Sequence, residues 1–166
     1  MAVVSDTSPL SYLILIEEIE LLPTLFRSCR IPEAVDRELR HPKAPPEVRR
    51  WILQRPPWLE VKTNPVVDGE SLSADLAILH AGERQAILLA ESLGSPLLLV
   101  DEKAAREVAR SRGLEITGVL GVLMRAAQRG LVDPEVVLKR LRSTNFRMDR
   151  RLLEALLLQA RRHPGD

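Results

Sequence analysis

The chain has 166 residues with 24 Lys and Arg against 23 Asp and Glu, a formal net charge of +1. That balance excludes a basic segment that coats nucleic acid by bulk charge and an acidic solvating tail alike, while 45% hydrophobic and 28% charged residues are the composition of one globular domain with a real core. Only two Trp, two Phe and one Tyr are present, so the core must be aliphatic, and this argues against a base-stacking platform of the RRM or single-strand-binding kind, which needs exposed aromatic faces.

Short apolar runs rich in Val, Leu and Ile alternate with segments of helical period, the pattern of a parallel sheet covered by helices on both faces. Strands are predicted at residues 2–5, 29–31, 59–62, 97–100 and 115–117. Ser8-Pro9 reads as an N-cap followed by proline at the first helical position, so Asp6 falls at the carboxyl end of the first strand. Ile31-Pro32 opens a helix through Arg40, and Pro45-Pro46 opens another carrying Val48, Trp51, Ile52 and Leu53. Residues 64–73 are the most loop-like stretch and a candidate mobile rim. Residues 82–93 predict a helix with Ala86, Ile87, Leu89, Ala90 and Leu93 on its apolar face, ended by Gly94-Ser95-Pro96. Helices follow at 102–112, 119–128, 133–143 and 149–162, the third opened by Asp133-Pro134.

The single cysteine, Cys29, makes no internal disulfide and no zinc site by itself, which fits a reducing, cytoplasmic setting. His41, His80 and His163 lack metal-ligand spacing. The opening residues carry no basic n-region, and no apolar run of about 18 residues is present, so neither secretion nor membrane spanning is expected.

Ligands of open parallel sheets bind outside the carboxyl ends of the strands, where the strand order reverses. Asp6 after Ala-Val-Val-Ser and Asp101 after Leu-Leu-Leu-Val occupy such ends. Each is a candidate site residue or a simple helix cap. Glu38 borders the buried stripe set by Val35 and Leu39, and Glu83 stands in the first turn of its helix. For these two, a solvated helix charge and an electrostatic cap are the competing readings.

Five segments taken together carry a resemblance. Val-Val-Ser-Asp-Thr-Ser-Pro-Leu, Ile-Pro-Glu-Ala-Val-Asp-Arg-Glu-Leu, Gly-Glu-Arg-Gln-Ala-Ile-Leu-Leu-Ala, Leu-Leu-Val-Asp-Glu-Lys-Ala-Ala-Arg and Ile-Thr-Gly-Val-Leu-Gly-Val-Leu occur in this order between residues 2 and 128. They resemble the PIN-domain proteins, and in particular the prokaryotic branch related to VapC-type toxins. The resemblance implies a three-layer α/β/α fold on a five-stranded parallel sheet of order 3-2-1-4-5, which would set Asp6 beside Asp101. It implies a Mg²⁺- or Mn²⁺-dependent ribonuclease whose metal-binding and catalytic acids are Asp6, Glu38, Glu83 and Asp101, with Thr117 in support; Thr7 and Glu102, directly after Asp6 and Asp101, are further supporting candidates. Glutamate at position 83 departs from the aspartate frequent in the wider family and reaches one methylene further. Homodimers are implied as well, and for toxin-like members an antitoxin that inserts basic residues into the acidic pocket.

The chemistry of such a cluster is consistent in itself. Converging carboxylates repel and stay ionised only around a cation. An all-oxygen ligand set selects Mg²⁺ or Mn²⁺ over Zn²⁺. Arg84, Lys103 and Arg40 are candidate phosphate contacts, with Arg37, Lys43 and Arg106 in the same segments. Twenty of the 24 basic residues are arginine, which suits bidentate phosphate contact but fits solvated helix faces equally.

A phosphoaspartyl phosphatase needs a second acid two residues after the first, where Ser8 stands, and a receiver domain needs a lysine where Thr117-Gly118 stands. The remaining rival is a PIN-like scaffold that binds nucleic acid or a protein partner without cutting. Residues 1–166 are read as one domain, in which 133–166 form a helical extension. Its stripe of Leu152, Leu153, Leu156 and Leu157 packs on the domain or on a second subunit.

Overall fold

A computed structural model describes residues 1–64, 72–94 and 96–162. The elements run β1 (Ala2–Ser5), α1 (Thr7–Leu15), α2 (Leu21–Leu25), β2 (Ser28–Pro32), α3 (Glu33–Arg40), α4 (Pro46–Leu53) and β3 (Leu59–Lys62). They continue as α5 (Ala74–Ala77), α6 (Ala81–Ser92), β4 (Leu97–Leu99), α7 (Lys103–Ser111), β5 (Ile116–Thr117), α8 (Val119–Gln128), α9 (Pro134–Arg142) and α10 (Arg150–Arg162). All strand pairs are parallel and the order is β3-β2-β1-β4-β5, as the resemblance implies.

The two-residue period of the strands sorts their side chains between two cores. Val3, Cys29, Ile31, Leu97 and Leu99 face one side, against α1, α2, α4 and α8. Val4, Leu98 and Val100 face the other, against Leu76, Ile87, Ala90 and Ala105 of α5, α6 and α7. β1 lies at the centre, with Val3 and Val4 both fully buried. Arg112 clamps the second layer: its Nε donates to Glu91 Oε1 at 2.6 Å and its Nη1 to Asp75 Oδ2 at 3.1 Å, joining α5, α6 and the end of α7.

Several expectations need correction. α1 begins at Thr7 with Asp6 in the N-cap position, so Ser8 is not the cap; Pro9 is still within the first turn, where its missing N–H costs no helical bond. α2 and α5 were not expected, being too short, at five and four residues, to display a periodic stripe. Leu93 is 36% exposed because α6 ends at Ser92 and the C-cap residue leaves the apolar face. Most of the expected rim, residues 65–71, lies outside the described residues, as do Ser95 and His163.

The last two helices lie on the domain itself. Val137, Leu138, Leu141, Met148 and Leu153 are buried in the first core, with Leu156 and Leu157 packed against it, while Leu152 and Leu158 are exposed.

Candidate active site

The carboxyl edge of the sheet is set by the backbone ladder. Past the last paired residue of β1, the Asp6 N–H donates to the Leu99 carbonyl at 2.9 Å, and the Val100 N–H donates to Thr117 O at 2.8 Å. Asp6 and Asp101 are thereby delivered to the same edge from neighbouring strands, at the switch point where the order turns from β1-β2 to β1-β4.

Asp6 is 4% exposed. Burial pushes its carboxyl up to about 7, and the charges of Glu83, Glu38 and Asp101 push the same way, against a hydrogen bond from the Thr7 backbone. One buried carboxyl thus feels all three other acids singled out from the sequence. Asp101 is pushed up to about 6, again by burial, with the Val119 N–H and the Arg106 guanidinium opposing. Its Oδ1 accepts from Val119 N–H at 3.0 Å, whereas Oδ2 is buried without a hydrogen-bond partner among the described residues.

Glu38 is held twice. Thr7 Oγ1 donates to its Oε2, and the Gly82 N–H donates to its Oε1 at 3.2 Å. Glu83 Oε2 accepts from His80 N–H at 3.2 Å, so this glutamate also caps its own helix. Burial raises the Glu83 carboxyl above its ordinary range, and Glu102 and Glu38 add to the shift against the His80 N–H and the His80 charge.

A common physical device organises these acids. Asp6 stands at the start of α1, Asp101 on the first N–H of α8, and Glu38 on the second residue of α6, where Glu83 is the third. Free N–H groups and the positive ends of helix dipoles offset part of the negative charge. Two glycines make room for it. A Cβ at Gly118 would lie 2.2 Å from Asp101 Oδ1, and one at Gly82 would lie 2.7 Å from both Glu38 oxygens.

As the side chains stand, no three His, Cys, Asp or Glu groups among the described residues are close enough to hold a metal ion. The donor set nonetheless fits a hard divalent cation in kind: all oxygen, with a buried carboxylate oxygen, Asp101 Oδ2, that has no partner among the described residues. Glu83, bonded among the described residues only to the backbone N–H of exposed His80, is the acid freest to move inward.

The supporting residues divide. Thr7 is engaged with Glu38. Glu102 is exposed at the N-cap of α7 and near enough to raise Glu83. The Thr117 hydroxyl points at Gly121, where a Cβ would come within 1.9 Å, and bonds none of the four acids among the described residues. Among the basic residues, Arg106 faces Asp101 and Lys103 is exposed on the same helix. Arg84 donates to Leu79 O at 3.2 Å. Arg40 is turned to Asp36, at 3.0 and 3.1 Å, and to Ile52 O. Sequence reasoning missed Tyr12, whose phenol is raised by burial and by the Asp101 charge, and the 145–147 segment, which lines a groove with Tyr12 and Asp101. No spacing rule joins residues more than 130 positions apart, so no sequence signal pointed there.

Residues 2–162 match the model of the DUF3368 family, described as a PIN domain. No curated protein and no solved structure matches the chain. The match agrees with the sheet order and covers the α9 and α10 segment as well. A nuclease-type fold and a hydrolase in the broad sense go with it, as does the general use of divalent metal ions. No helix among the described residues is long and apolar enough to cross a membrane.

Proposed function

We propose, from the premise that this chain belongs to the PIN-domain family, that it is an endoribonuclease hydrolysing RNA phosphodiester bonds with Mg²⁺ or Mn²⁺ held by Asp6, Asp101, Glu38 and Glu83. The observation that carries this reading is Asp6: a carboxyl 4% exposed, pushed up to about 7, and loaded by the charges of three further acids. A buried carboxyl whose ionisation three neighbouring acids oppose is a poor structural device and a good cation site.

Asp6 and Asp101 are the fixed ligands in this reading, because both are anchored at strand ends, Asp6 by its own N–H on Leu99 O and Asp101 by the Val119 N–H on its Oδ1. Glu38, clamped by Thr7 and Gly82, closes one wall. Glu83 leaves the His80 N–H to complete the set and orients the attacking water by accepting its hydrogen bond. The bound cation supplies Lewis-acid polarisation of the phosphate and lowers the pKa of water. Arg106 and Lys103, on the same side, meet phosphate oxygens, while Arg84 and Arg40 must release Leu79 O and Asp36 to do so.

The deciding experiment incubates purified protein with structured and single-stranded RNAs, with Mn²⁺ and with EDTA. Cleavage only with metal, abolished by Asp6→Asn or Asp101→Asn in folded protein, is the expected result; activity equal in EDTA or in both variants overturns the reading.

A second reading has one observation in its favour. As placed, no three acidic groups among the described residues are within metal-holding distance, and three of the four acids already serve as helix caps. A PIN-like scaffold that binds RNA or protein without cutting would need nothing more. RNA binding with no metal-dependent cleavage selects it. A toxin role, a basic antitoxin segment seated on the acids, a homodimer and a cytoplasmic setting complete the proposal; the buried, reduced Cys29 supports the last.

A further inference from the structure

A groove of about 280 Å³ opens beside Asp101, between α1 and the segment that joins α9 to α10. Ser8, Tyr12, Asp101, Glu102, Asn145, Phe146 and Arg147 line it. The lining therefore carries two acids, Asp101 of the candidate site and its neighbour Glu102, and one cation, Arg147. Arg147 is exposed and makes no ion pair among the described residues.

Tyr12, Phe146 and Asn145 are pre-arranged in this groove. Tyr12 and Phe146 meet edge to face, with ring centroids 5.1 Å apart and planes at 87°. The Tyr12 hydroxyl donates to Asn145 Oδ1 at 2.9 Å. That bond fixes the amide and leaves the two Nδ2 donors without a protein partner among the described residues. Two of the five aromatic residues of the chain are thus gathered on one groove within reach of the acids. None of these residues is used in the chemistry proposed above.

We propose that this groove seats one unpaired nucleotide next to the scissile phosphate, with its base against Tyr12 and Phe146, a base-edge acceptor on Asn145 Nδ2 and the following phosphate on Arg147. The inference rests on the nuclease reading for the place of the scissile phosphate. The volume is near the lower end of small-ligand sites, about 300 Å³, which suits one nucleoside and not a stacked pair. An aromatic surface, an amide and an arginine are the groups that recognise unstacked single strands. The α9–α10 segment is then part of the substrate site, beyond its role in packing.

Binding is measured with a fluorescent single-stranded oligoribonucleotide on the Asp6→Asn protein across a salt series, and cleavage products are mapped with the active chain. Arg147→Ala is expected to weaken binding about tenfold and to reduce the slope of log K against log salt by about 0.7, the value of one phosphate contact on a single strand. Asn145→Ala is expected to shift which bonds are cut, with unchanged melting. Both variants binding and cutting like the parent, or a duplex of the same sequence binding as tightly, overturns the proposal. Arg147-dependent binding in a protein that never cleaves sinks the nuclease reading and leaves the groove as a nucleotide seat. Metal-dependent cleavage indifferent to both substitutions sinks the groove alone.

Discussion

Gly118 leaves open the space that Asp101 fills. A Cβ at 118 would stand 2.2 Å from Asp101 Oδ1, the same oxygen that accepts the Val119 N–H at 3.0 Å. The carboxylate is therefore placed by a glycine on a different strand connection, which leaves Oδ2 buried without a partner among the described residues.

Gly118→Ala should displace Asp101 and expose the test of that relationship. Overpacking a close contact of this kind costs about 1–3 kcal/mol, and misplacing a catalytic group by about 1 Å costs about a hundredfold in rate. Urea unfolding and RNA cleavage of the variant measure the two separately. A variant with parental stability and activity would show that Asp101 tolerates another position.

Thr7 and Glu38 give a second, milder test. Thr7→Val keeps the shape of the side chain and removes the hydroxyl that donates to Glu38 Oε2, leaving only the Gly82 N–H. The expected loss is about 0.5–1.5 kcal/mol. Catalysis should fall with it, and Thr7→Ser should restore both. Rescue by serine marks the hydrogen bond; a valine variant equal to the parent beside a failing serine marks packing of the methyl group instead.

The raised acids predict an unusual pH profile for the metal-free protein. The Asp6 carboxyl moves from 3.8 to about 7 on folding, and that of Asp101 from 3.8 to about 6. Between those limits the native state holds protons that the unfolded chain has released. Stability from these groups is therefore complete below pH about 4 and is lost as pH rises through the folded values. For Asp6 alone the ceiling is on the order of 4 kcal/mol. Asparagine cannot ionise, so Asp6→Asn should gain on the parent between about pH 4.5 and about pH 7.5 in chelator, read by urea unfolding. Parallel pH curves for parent and variant would contradict the buried, charge-loaded placement of Asp6.

How far the sequence could have led here differs from residue to residue. Asp6 and Asp101 were legible because a short apolar strand followed at once by an acid and a helix start puts that acid at a sheet edge. Their adjacency was not legible from periodicity, since strand order is decided by long-range pairing; it came with the resemblance, and the bond from Asp6 N–H to Leu99 O shows it. Glu83 was legible in both competing senses, and the structure keeps both, with the carboxylate on His80 N–H and in the field of Asp6. Ser8 misled because a favoured cap residue followed by proline imitates a helix start two residues after the true cap, Asp6. The Tyr12 and Asn145 pair was beyond reach, because a hydrogen bond across 133 positions has no local signature.

Metal binding should reverse the pH penalty, which makes ion-dependent stability the most direct check on the site. A cation that binds the folded acids and not the unfolded chain stabilises by mass action, about 2.7 kcal/mol at a hundred times its dissociation constant. For a chain of this size that is roughly 5–10 °C in melting temperature. The gain should be larger near pH 8 than near pH 5, because protons compete for Asp6 and Asp101 up to about 7 and about 6. Asp6→Asn and Asp101→Asn should each lose most of the gain, whereas Arg147→Ala should keep it, since its guanidinium lines the groove and is no ligand. Differential scanning with Mn²⁺, Mg²⁺ and EDTA at both pH values reads all of this without any RNA. A melting point unmoved by Mn²⁺ at the higher pH would exclude cation binding by these acids and leave helix capping as their whole role.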